Sequence, residues 1–220
     1  MNILTYIFRS LSYYRRTHLW VALGTAVSTA IIVGALITGD SIRYSLRQIV
    51  TDRLGTTQFA LTTGERFLHT RMAAELAKQL QTPEAPLMLS RGIVVVDGGK
   101  NRINNVQVVG VDRRFGEIGG VSEMYERLSA DEVVVNDRLA ARLQLHEGNE
   151  ILLRLEKIDP IPRDIPLALD TETSFAKRYT IKAITGENEF SRFNLKADQT
   201  APYTVFISLD ELSREMGQAN

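Results

Sequence analysis

The 220-residue chain contains no cysteine. That absence excludes disulfide bonds, thiolate metal sites and a cysteine nucleophile. The chain also has no excess of charge of either sign, because 26 Lys and Arg residues balance 26 Asp and Glu residues. A neutral chain produces no global field that would attract nucleic acid or an acidic partner. Charge is missing altogether from residues 19–39, which include no ionisable side chain.

This uncharged stretch predicts a transmembrane helix. Its 21 residues would span about 30 Å as a helix, which is the thickness of the hydrocarbon core of a bilayer. Arg15 and Arg16 stand before it, and Asp40 follows it. A secretory signal has a shorter apolar region, of about 7–15 residues, and a core helix is usually interrupted by polar residues sooner. An uncleaved signal and a buried core helix remain the alternatives.

Residues 1–18 predict a short cytoplasmic amphipathic helix that lies on the membrane surface. Their apolar residues recur at spacings of three and four and alternate with arginines, which is the pattern of one apolar helical face. Tyr13, Tyr14 and Trp20 fall where an interfacial aromatic belt is expected. We therefore predict Arg15, Arg16 and Trp20 as interfacial anchors. An unstructured basic leader is the alternative.

Small residues form a stripe along the predicted span. Ala22, Ala26, Ala30 and Gly34 recur every four residues. Lipid gives helices no hydrophobic reason to associate, so close approach at small residues is a common basis of helix packing in membranes. The stripe predicts that the span packs against other membrane helices, although alanine and glycine are common in such helices in any case.

The orientation of the span rests on a narrow difference in flanking charge. Positively charged residues normally lie on the cytoplasmic side of a span. Here the two sides carry equal numbers of arginines: three before the span (Arg9, Arg15, Arg16) and three soon after it (Arg43, Arg47, Arg53). Arg15 and Arg16 lie closest to the apolar stretch on one side, and Asp40 is the nearest charge on the other. We therefore expect the N-terminus in the cytoplasm and the large domain outside.

Residues 40–56 predict a helical exit segment that begins at a cap, Asp40 or Ser41, and stops at Gly55. Residues 57–220 predict a mixed α+β extracytoplasmic domain, because short alternating runs are interleaved with amphipathic ones. Asp97-Gly98-Gly99 is a hairpin turn signal, and Pro160, Pro162 and Pro166 mark a loop. Strands are predicted at 56–62, 86–96, 105–111, 132–135, 150–155, 177–184 and 203–207, and helices at 67–80, 137–143 and 209–216, the last capped by Ser208.

The sequence contains no recognisable catalytic or cofactor motif. Gly98-Gly99-Lys100 lacks the spacing of a phosphate-binding loop, and neither a Gly-x-Ser-x-Gly elbow nor a His-Glu-x-x-His pair occurs. His18, His69 and His146 are scattered and read as surface residues rather than metal ligands. The carboxylates at 131–132 and 187–189 read as solvated charge, and the arginine pairs lack the interleaved aromatics of a nucleic-acid site. We expect no enzyme, no cofactor, no metal site and no nucleic-acid partner.

Four stretches, taken in order, resemble the permease subunits of FtsX/MacB/LolC-like ABC transporters. The first is an arginine-bearing leader entering a Gly/Ala-rich helix, FRSLSYYRRTHLWVALGTAVSTAIIVGALI. The second is the exit GDSIRYSLRQIVTDRLG, followed by Gly64-Glu65-Arg66-Phe67. The third is VVGVDRRF at 108–115, and the fourth is EVVVNDRLAARLQLHEGNEILLRL at 132–155, which holds a strand, an Asn-Asp cap, a helix and a glycine turn.

The resemblance implies the first membrane helix and a MacB-like extracytoplasmic domain of a permease in the bacterial inner membrane. Such permeases couple ATP hydrolysis by a separate ABC ATPase subunit to export or to mechanical work outside. The implied partners are membrane lipid, that ATPase, and other permease helices or a second permease copy. Family members have at least three further membrane helices, and residues 40–220 contain no second span. We therefore expect a permease subunit or its N-terminal fragment. The alternative is a single-pass anchored binding or sensor domain without transport activity.

Overall fold

A computed structural model describes residues 3–63, 67–126, 128–156, 174–186, 189–196 and 200–218. Within it the chain divides into two compact units, Met1–Ile49 and Val50–Asn220. Three features singled out in the sequence lie outside the described residues: Gly64-Glu65-Arg66, the prolines at 160, 162 and 166, and Glu187. The architecture is the predicted mixed α+β class, with one long apolar N-terminal helix followed by a sheet domain.

Two helices account for the N-terminal part of the chain. Helix α1 covers Ile3–Tyr13 and α2 covers Arg15–Leu54, a 40-residue helix that includes the whole uncharged stretch. Among the described residues α2 is the one helix long and apolar enough to cross a membrane, and its apolar window is fully exposed. The predicted cap at Asp40 or Ser41 is wrong, because both residues are helical and the helix continues through them. No proline lies between Gly39 and the end of the helix at Leu54 to interrupt the hydrogen-bond ladder.

The predicted stop of α2 at Gly55 is confirmed. Gly55 has φ +54°, the left-handed conformation in which a glycine commonly ends a helix. Its N–H donates to the carbonyl of Thr51 at 2.9 Å. The predicted strand at 56–62 is wrong, since these residues are irregular and none of the described strands pairs with them. Alternation gives an extended chain a sheet face only when a neighbouring strand is present.

Helix α3 covers Thr70–Leu80, three residues shorter at its start than the predicted 67–80. His69 is its N-cap, and the Nδ1 atom of His69 accepts from the N–H of Arg71 at 3.4 Å. At the other end Gln81 adopts the left-handed conformation and its N–H donates to Ala77 O. No residue of α3 is buried.

Six strands form a closed barrel. Its strand order is β1-β2-β6-β3-β5-β4, and β4 closes it by pairing antiparallel with β1. The pairs β2–β6 and β3–β5 are parallel and the others antiparallel. The strands are β1 Met88–Val96, β2 Asn101–Val111, β3 Glu132–Asn136, β4 Glu150–Glu156, β5 Ser174–Thr185 and β6 Thr204–Ser208.

A short helix or a helical turn follows four of the six strands. Helix α6, Asp137–Leu143, has the predicted bounds, and α7, Leu209–Glu215, ends one residue earlier than predicted. Ser208 is the N-cap of α7 as predicted, although its side chain makes no capping hydrogen bond. The 3₁₀ turn Asp97–Gly99 joins β1 to β2 in the predicted hairpin. The sequence did not predict α4, Arg113–Gly119, or α5, Ser122–Tyr125.

Strands β3 and β6 and the second half of β2 are buried on both faces, which explains their unbroken apolar runs. On β3, Val133 and Val135 belong to the core inside the barrel, whereas Val134 belongs to a second, aromatic-rich core. On β6, Phe206 likewise points to the second core. Glycine is required at position 92, where β1 pairs with β4, because a Cβ atom there would lie 2.8 Å from the carbonyl oxygen of Arg154.

The second core consists of packed aromatic rings. The ring of Phe115 on α4 lies 4.9 to 5.8 Å from four neighbouring rings, those of Tyr125, Phe190, Phe193 and Phe206. Phe190 has φ +60° and is 4% exposed. A Cβ atom on Gly119 would lie 2.5 Å from Cδ1 of Phe190 and one on Gly55 would lie 3.0 Å from its Cε2, so the ring occupies the space that two glycines leave.

Candidate functional site

The small-residue stripe lies along one continuous helix. Ala22, Ala26, Ala30 and Gly34 are all on α2 and all exposed. A Cβ atom added to Gly34 would meet no atom within 4 Å, leaving aside the helix's own nearby backbone. No described residue of the chain covers this stripe. The arrangement leaves room for a second helix to approach closely, as the packing prediction requires, and that prediction stays untested.

Threonine hydroxyls on α2 are satisfied inside the helix. Thr25 donates to Val21 O at 2.7 Å, Thr29 to Thr25 O at 2.8 Å and Thr38 to Gly34 O at 2.9 Å. An unpaired hydroxyl is costly in hydrocarbon, so each of these bonds suits a lipid environment. Threonine in an apolar helix commonly bonds back to the carbonyl four residues earlier, so the sequence itself carries this signal.

The predicted interfacial anchors cluster at the start of α2. Arg15 and Arg16 are its first two residues, and Trp20, one turn later, is 72% exposed. The rings of Tyr13 and Tyr14 meet edge to face at 4.9 Å. An exposed indole beside two guanidinium groups is the composition of a membrane–water interface. Their role as anchors stays a prediction.

The polar residues considered as possible ligands do not converge. His18 lies against the Tyr14 ring, His69 caps α3, and the N–H of His146 donates to Oδ1 of Asn149 in a turn. Among the described residues no three His, Asp or Glu side chains are grouped so as to hold a metal ion. Arg113 pairs with Glu117 on α4 at 3.1 Å and with Glu126, just after α5, at 3.0 Å.

A charged cluster that the sequence did not reveal holds α7 against the barrel. Lys177 on β5 places Nζ 2.5 Å from Oε1 of Glu211 on α7 and 3.0 Å from Oδ1 of Asp131. The Glu211 side chain is 4% exposed, and its Oε2 also lies 2.9 Å from Nη2 of Arg214. The hydrogen bond to Glu211 raises the pKa of Lys177 well above its usual range, against the effect of burial. These paired charges hold α7 against β5. None of these charged residues lines either of the two clefts described below.

Asn136 connects three segments of the barrel. Its Oδ1 accepts from the N–H of Leu139, capping α6, and from the N–H of Thr204 at the start of β6. Its Nδ2 donates to the carbonyl of Pro202 at 2.9 Å. Asn136 is fully buried. The Asn-Asp cap quoted in the sequence resemblance is therefore confirmed at this position, and its additional link to β6 could not be read from the sequence.

Two open clefts mark the surface of the barrel. The larger, of about 380 Å³, lies where the β1–β2 hairpin meets the turn after α6, and Glu150 is the one ionisable residue that lines it. The smaller, of about 220 Å³, lies where β2 and β6 run into α4 and α7, beside Asp112 and Asp210. Neither cleft pairs a nucleophile with a base in the way that covalent catalysis requires.

Comparison with known proteins finds matches among solved structures. No protein-family model matches the chain, and no curated protein matches it. Fourteen chains of solved structures do match. One is the periplasmic region of MacB from Actinobacillus actinomycetemcomitans, at 12% sequence identity and a TM-score of 0.40. The match covers 69% of this chain and 60% of that chain, so the chain spans less than two thirds of the MacB region.

Proposed function

We propose that this chain is a permease subunit of an ABC transporter, or its N-terminal part, in the bacterial inner membrane. The observation that carries the proposal is the small-residue stripe on α2, which is exposed along a helix long enough to span a bilayer. A helix that only anchored a domain would have no need of close neighbours. The ordered sequence motifs at 108–115 and 132–155 add the family resemblance. The likeness to the MacB region is too weak to carry weight of its own.

In this proposal the chain is not an enzyme. A separate ATPase subunit hydrolyses ATP, and the membrane helices transmit its movement to the extracytoplasmic domain for export or mechanical work. The N-terminus lies in the cytoplasm and the main domain is periplasmic or extracellular.

Co-purification tests the proposal directly. The full-length gene product, extracted in mild detergent, is expected to bring an ABC ATPase subunit with it. Ala30→Leu combined with Gly34→Leu should weaken that assembly, because leucine side chains hold a neighbouring helix away. The matched control is Ile31→Leu with Val33→Leu, which leaves the stripe intact. A stable lone monomer that binds no ATPase would contradict the proposal.

A single-pass anchored binding or sensor domain is the second candidate, and the closed barrel with its two clefts favours it equally. The same leucine variants distinguish the two, since an anchor that faces lipid tolerates them.

The orientation of the span is tested separately. Single cysteines at Ser10 and Lys100 in the cysteine-free chain, treated with a membrane-impermeant thiol reagent in spheroplasts, should react only at position 100.

A further inference from the structure

Helix α1 presents one continuous apolar face, and none of its residues is buried. At about 100° per residue, its five most apolar side chains fall within about 140° of the helix circumference: Ile3, Leu4, Ile7, Phe8 and Leu11. Their exposed fractions run from 48% to 79%. Thr5, Arg9 and Ser12 lie on the opposite side. A helix of 11 residues is marginal in water on its own, so α1 needs a surface against which to lay this face.

The bilayer is the surface to which the chain itself brings that face. Tyr14 alone separates α1 from α2, the helix that is long and apolar enough to cross a membrane. The uncharged stretch of α2 begins at Leu19, little more than one helical turn after Tyr14. With α2 in the bilayer, α1 is therefore held at the membrane–water interface. Tyr14 is not helical, although its N–H still donates to Ser10 O and its carbonyl accepts from the N–H of His18, both at 3.0 Å. An interruption of this kind is where a helix can change direction, so α1 can lie along the surface that α2 crosses.

The charge at this end of the chain has one sign. Arg9, Arg15 and Arg16 are exposed, and residues 1–39 contain no Asp or Glu, so all 26 acidic residues come after the apolar stretch. The basic residues here are all arginine and include no lysine. A guanidinium group donates two parallel hydrogen bonds to phosphate oxygens, which an ammonium group does not. The anions that this geometry favours are phosphate groups at the depth of the lipid headgroups.

We propose that α1 and the first turn of α2, Arg15–His18, form a binding surface for anionic phospholipids. The apolar face of α1 enters the upper acyl region, and the three arginines bind the phosphate groups beside it. The negative potential of a cytoplasmic leaflet attracts such arginines, each of which favours the bound state roughly fivefold. Lipids without net charge, such as phosphatidylcholine, give no such potential. The inference rests on the proposed location of α2 in the membrane, and it names the class of lipid that the assembly recognises.

Trp20 offers a native probe of this surface. It is the one tryptophan of the chain and lies one helical turn after Arg16. The full-length chain is placed in nanodiscs that mix phosphatidylcholine and phosphatidylglycerol in a fixed ratio, with bromine near the top of the acyl chains of one lipid or of the other. Brominated phosphatidylglycerol should quench Trp20 more strongly than brominated phosphatidylcholine, by roughly two- to fivefold at low salt. The preference should shrink as salt is added, because exposed charges are screened.

Substitution of the arginines tests whether they cause the preference. Arg9→Gln combined with Arg15→Gln and Arg16→Gln should make the two brominated lipids equally effective. The matched control removes the same charge from three exposed arginines that lie after the apolar stretch: Arg71→Gln, Arg91→Gln and Arg102→Gln. These substitutions should leave the preference intact. A preference that survived the loss of Arg9, Arg15 and Arg16 would overturn the proposal, as would equal quenching by the two lipids in the unaltered chain.

The depth of α1 supplies the second readout. A fluorescent label on Ile7→Cys, in the cysteine-free chain, should be quenched by a spin label on the acyl chains, whereas the same label on Thr5→Cys should be quenched much less. Equal quenching at the two positions would overturn the placement of the apolar face. If neither brominated lipid quenched Trp20, α2 itself would lie outside the bilayer and the proposed function would fail too. Quenching of Trp20 without lipid preference refutes this inference alone, so the two failures are distinguishable.

Discussion

Lys177 on β5 and Glu211 on α7 place Nζ and Oε1 2.5 Å apart, although 34 positions separate them in the sequence. Glu211 is almost fully buried and Lys177 is about 29% exposed at its side chain. A buried carboxylate is tolerated only when it is paired, because desolvation of a lone charge costs several kcal/mol. This pair therefore ties α7 to β5, beside the apolar packing of Leu209 and Leu212 against the barrel core.

Lys177→Met should destabilise the domain. Removal of one partner of a buried ion pair typically costs about 3–5 kcal/mol. Here we expect about 1–3 kcal/mol, because Lys177 is partly solvated and Arg214 still contacts Glu211. Urea unfolding of the full chain in detergent, followed by far-UV circular dichroism, measures the loss. Lys100→Met, on the exposed β1–β2 turn, is the matched control, and an equal effect of the two changes would refute the assignment.

The same lysine gives stability a dependence on alkaline pH. A pKa that is raised on folding contributes stability that is complete below the unfolded pKa of a lysine, about 10.4, and is lost as pH rises through the folded pKa. The free energy of unfolding should therefore differ between wild type and Lys177→Met by a constant amount from pH 7 to about pH 9.5. Above that the difference should shrink. A difference that grew with pH would have the wrong sign for this pair.

Asn136→Ala should be more damaging than Ser208→Ala, although both residues are helix N-caps. Asn136→Ala removes the N-cap of α6, which is worth about 0.5–2 kcal/mol. It also leaves the buried Thr204 N–H and the Pro202 carbonyl without the Asn136 side chain as partner, so we expect the free energy of unfolding to fall by about 2–4 kcal/mol in total. Ser208 makes no side-chain capping bond, so its replacement should change stability by less than about 0.5 kcal/mol. Thermal or urea unfolding of the two variants decides the matter. Similar losses would mean that the Asn136 bonds contribute little.

Gly119→Ala should act through Phe190. The added Cβ atom would lie 2.5 Å from Cδ1 of the ring, and such overpacking costs about 1–3 kcal/mol. In a Phe190→Ala background the same substitution should cost much less, because the ring atoms are gone and only the Cβ atom of residue 190 remains, 3.0 Å away. A double-mutant cycle measures that coupling. If the two substitutions were simply additive, the ring would not be the cause.

The elements of the barrel were largely predictable from the sequence, whereas its closure was not. Local sequence patterns correctly predicted several elements: the strands around Val133–Val135 and Val205–Ile207 and the turn at Asp97–Gly99. Each describes one strand or one connection. Which strands become neighbours depends on packing between distant residues, so the parallel pairing of β2 with β6 was invisible. In β3 and β6, burial on both faces also removed the alternation that would show which side chains face the inside of the barrel.

Two predictions were wrong, the helix cap at Asp40 or Ser41 and the strand at 56–62, and their causes differ. Asp40 and Ser41 carry a capping signal, but neither removes a backbone N–H as a proline would, so a helix already formed can continue through them, as α2 does. Residues 56–62 carry a strand signal that lacks a partner, so tertiary context overrides it. The charged cluster could not be foreseen because Asp131, Lys177 and Glu211 are remote from one another in sequence. The stripe at Ala22–Gly34 was visible because a helix alone brings its members together.

The strand order of the barrel bears on how the chain is made. Strand β6 lies between β2 and β3, and it pairs with both. The N-terminal end of the chain leaves the ribosome first, yet β2 and β3 have no common neighbour until Thr204–Ser208 has been synthesised. Pairings between residues far apart in sequence form slowly. During synthesis the apolar strands already made must therefore wait, open to chaperones and to misassembly, until these five residues, 68 positions after β3, have been added.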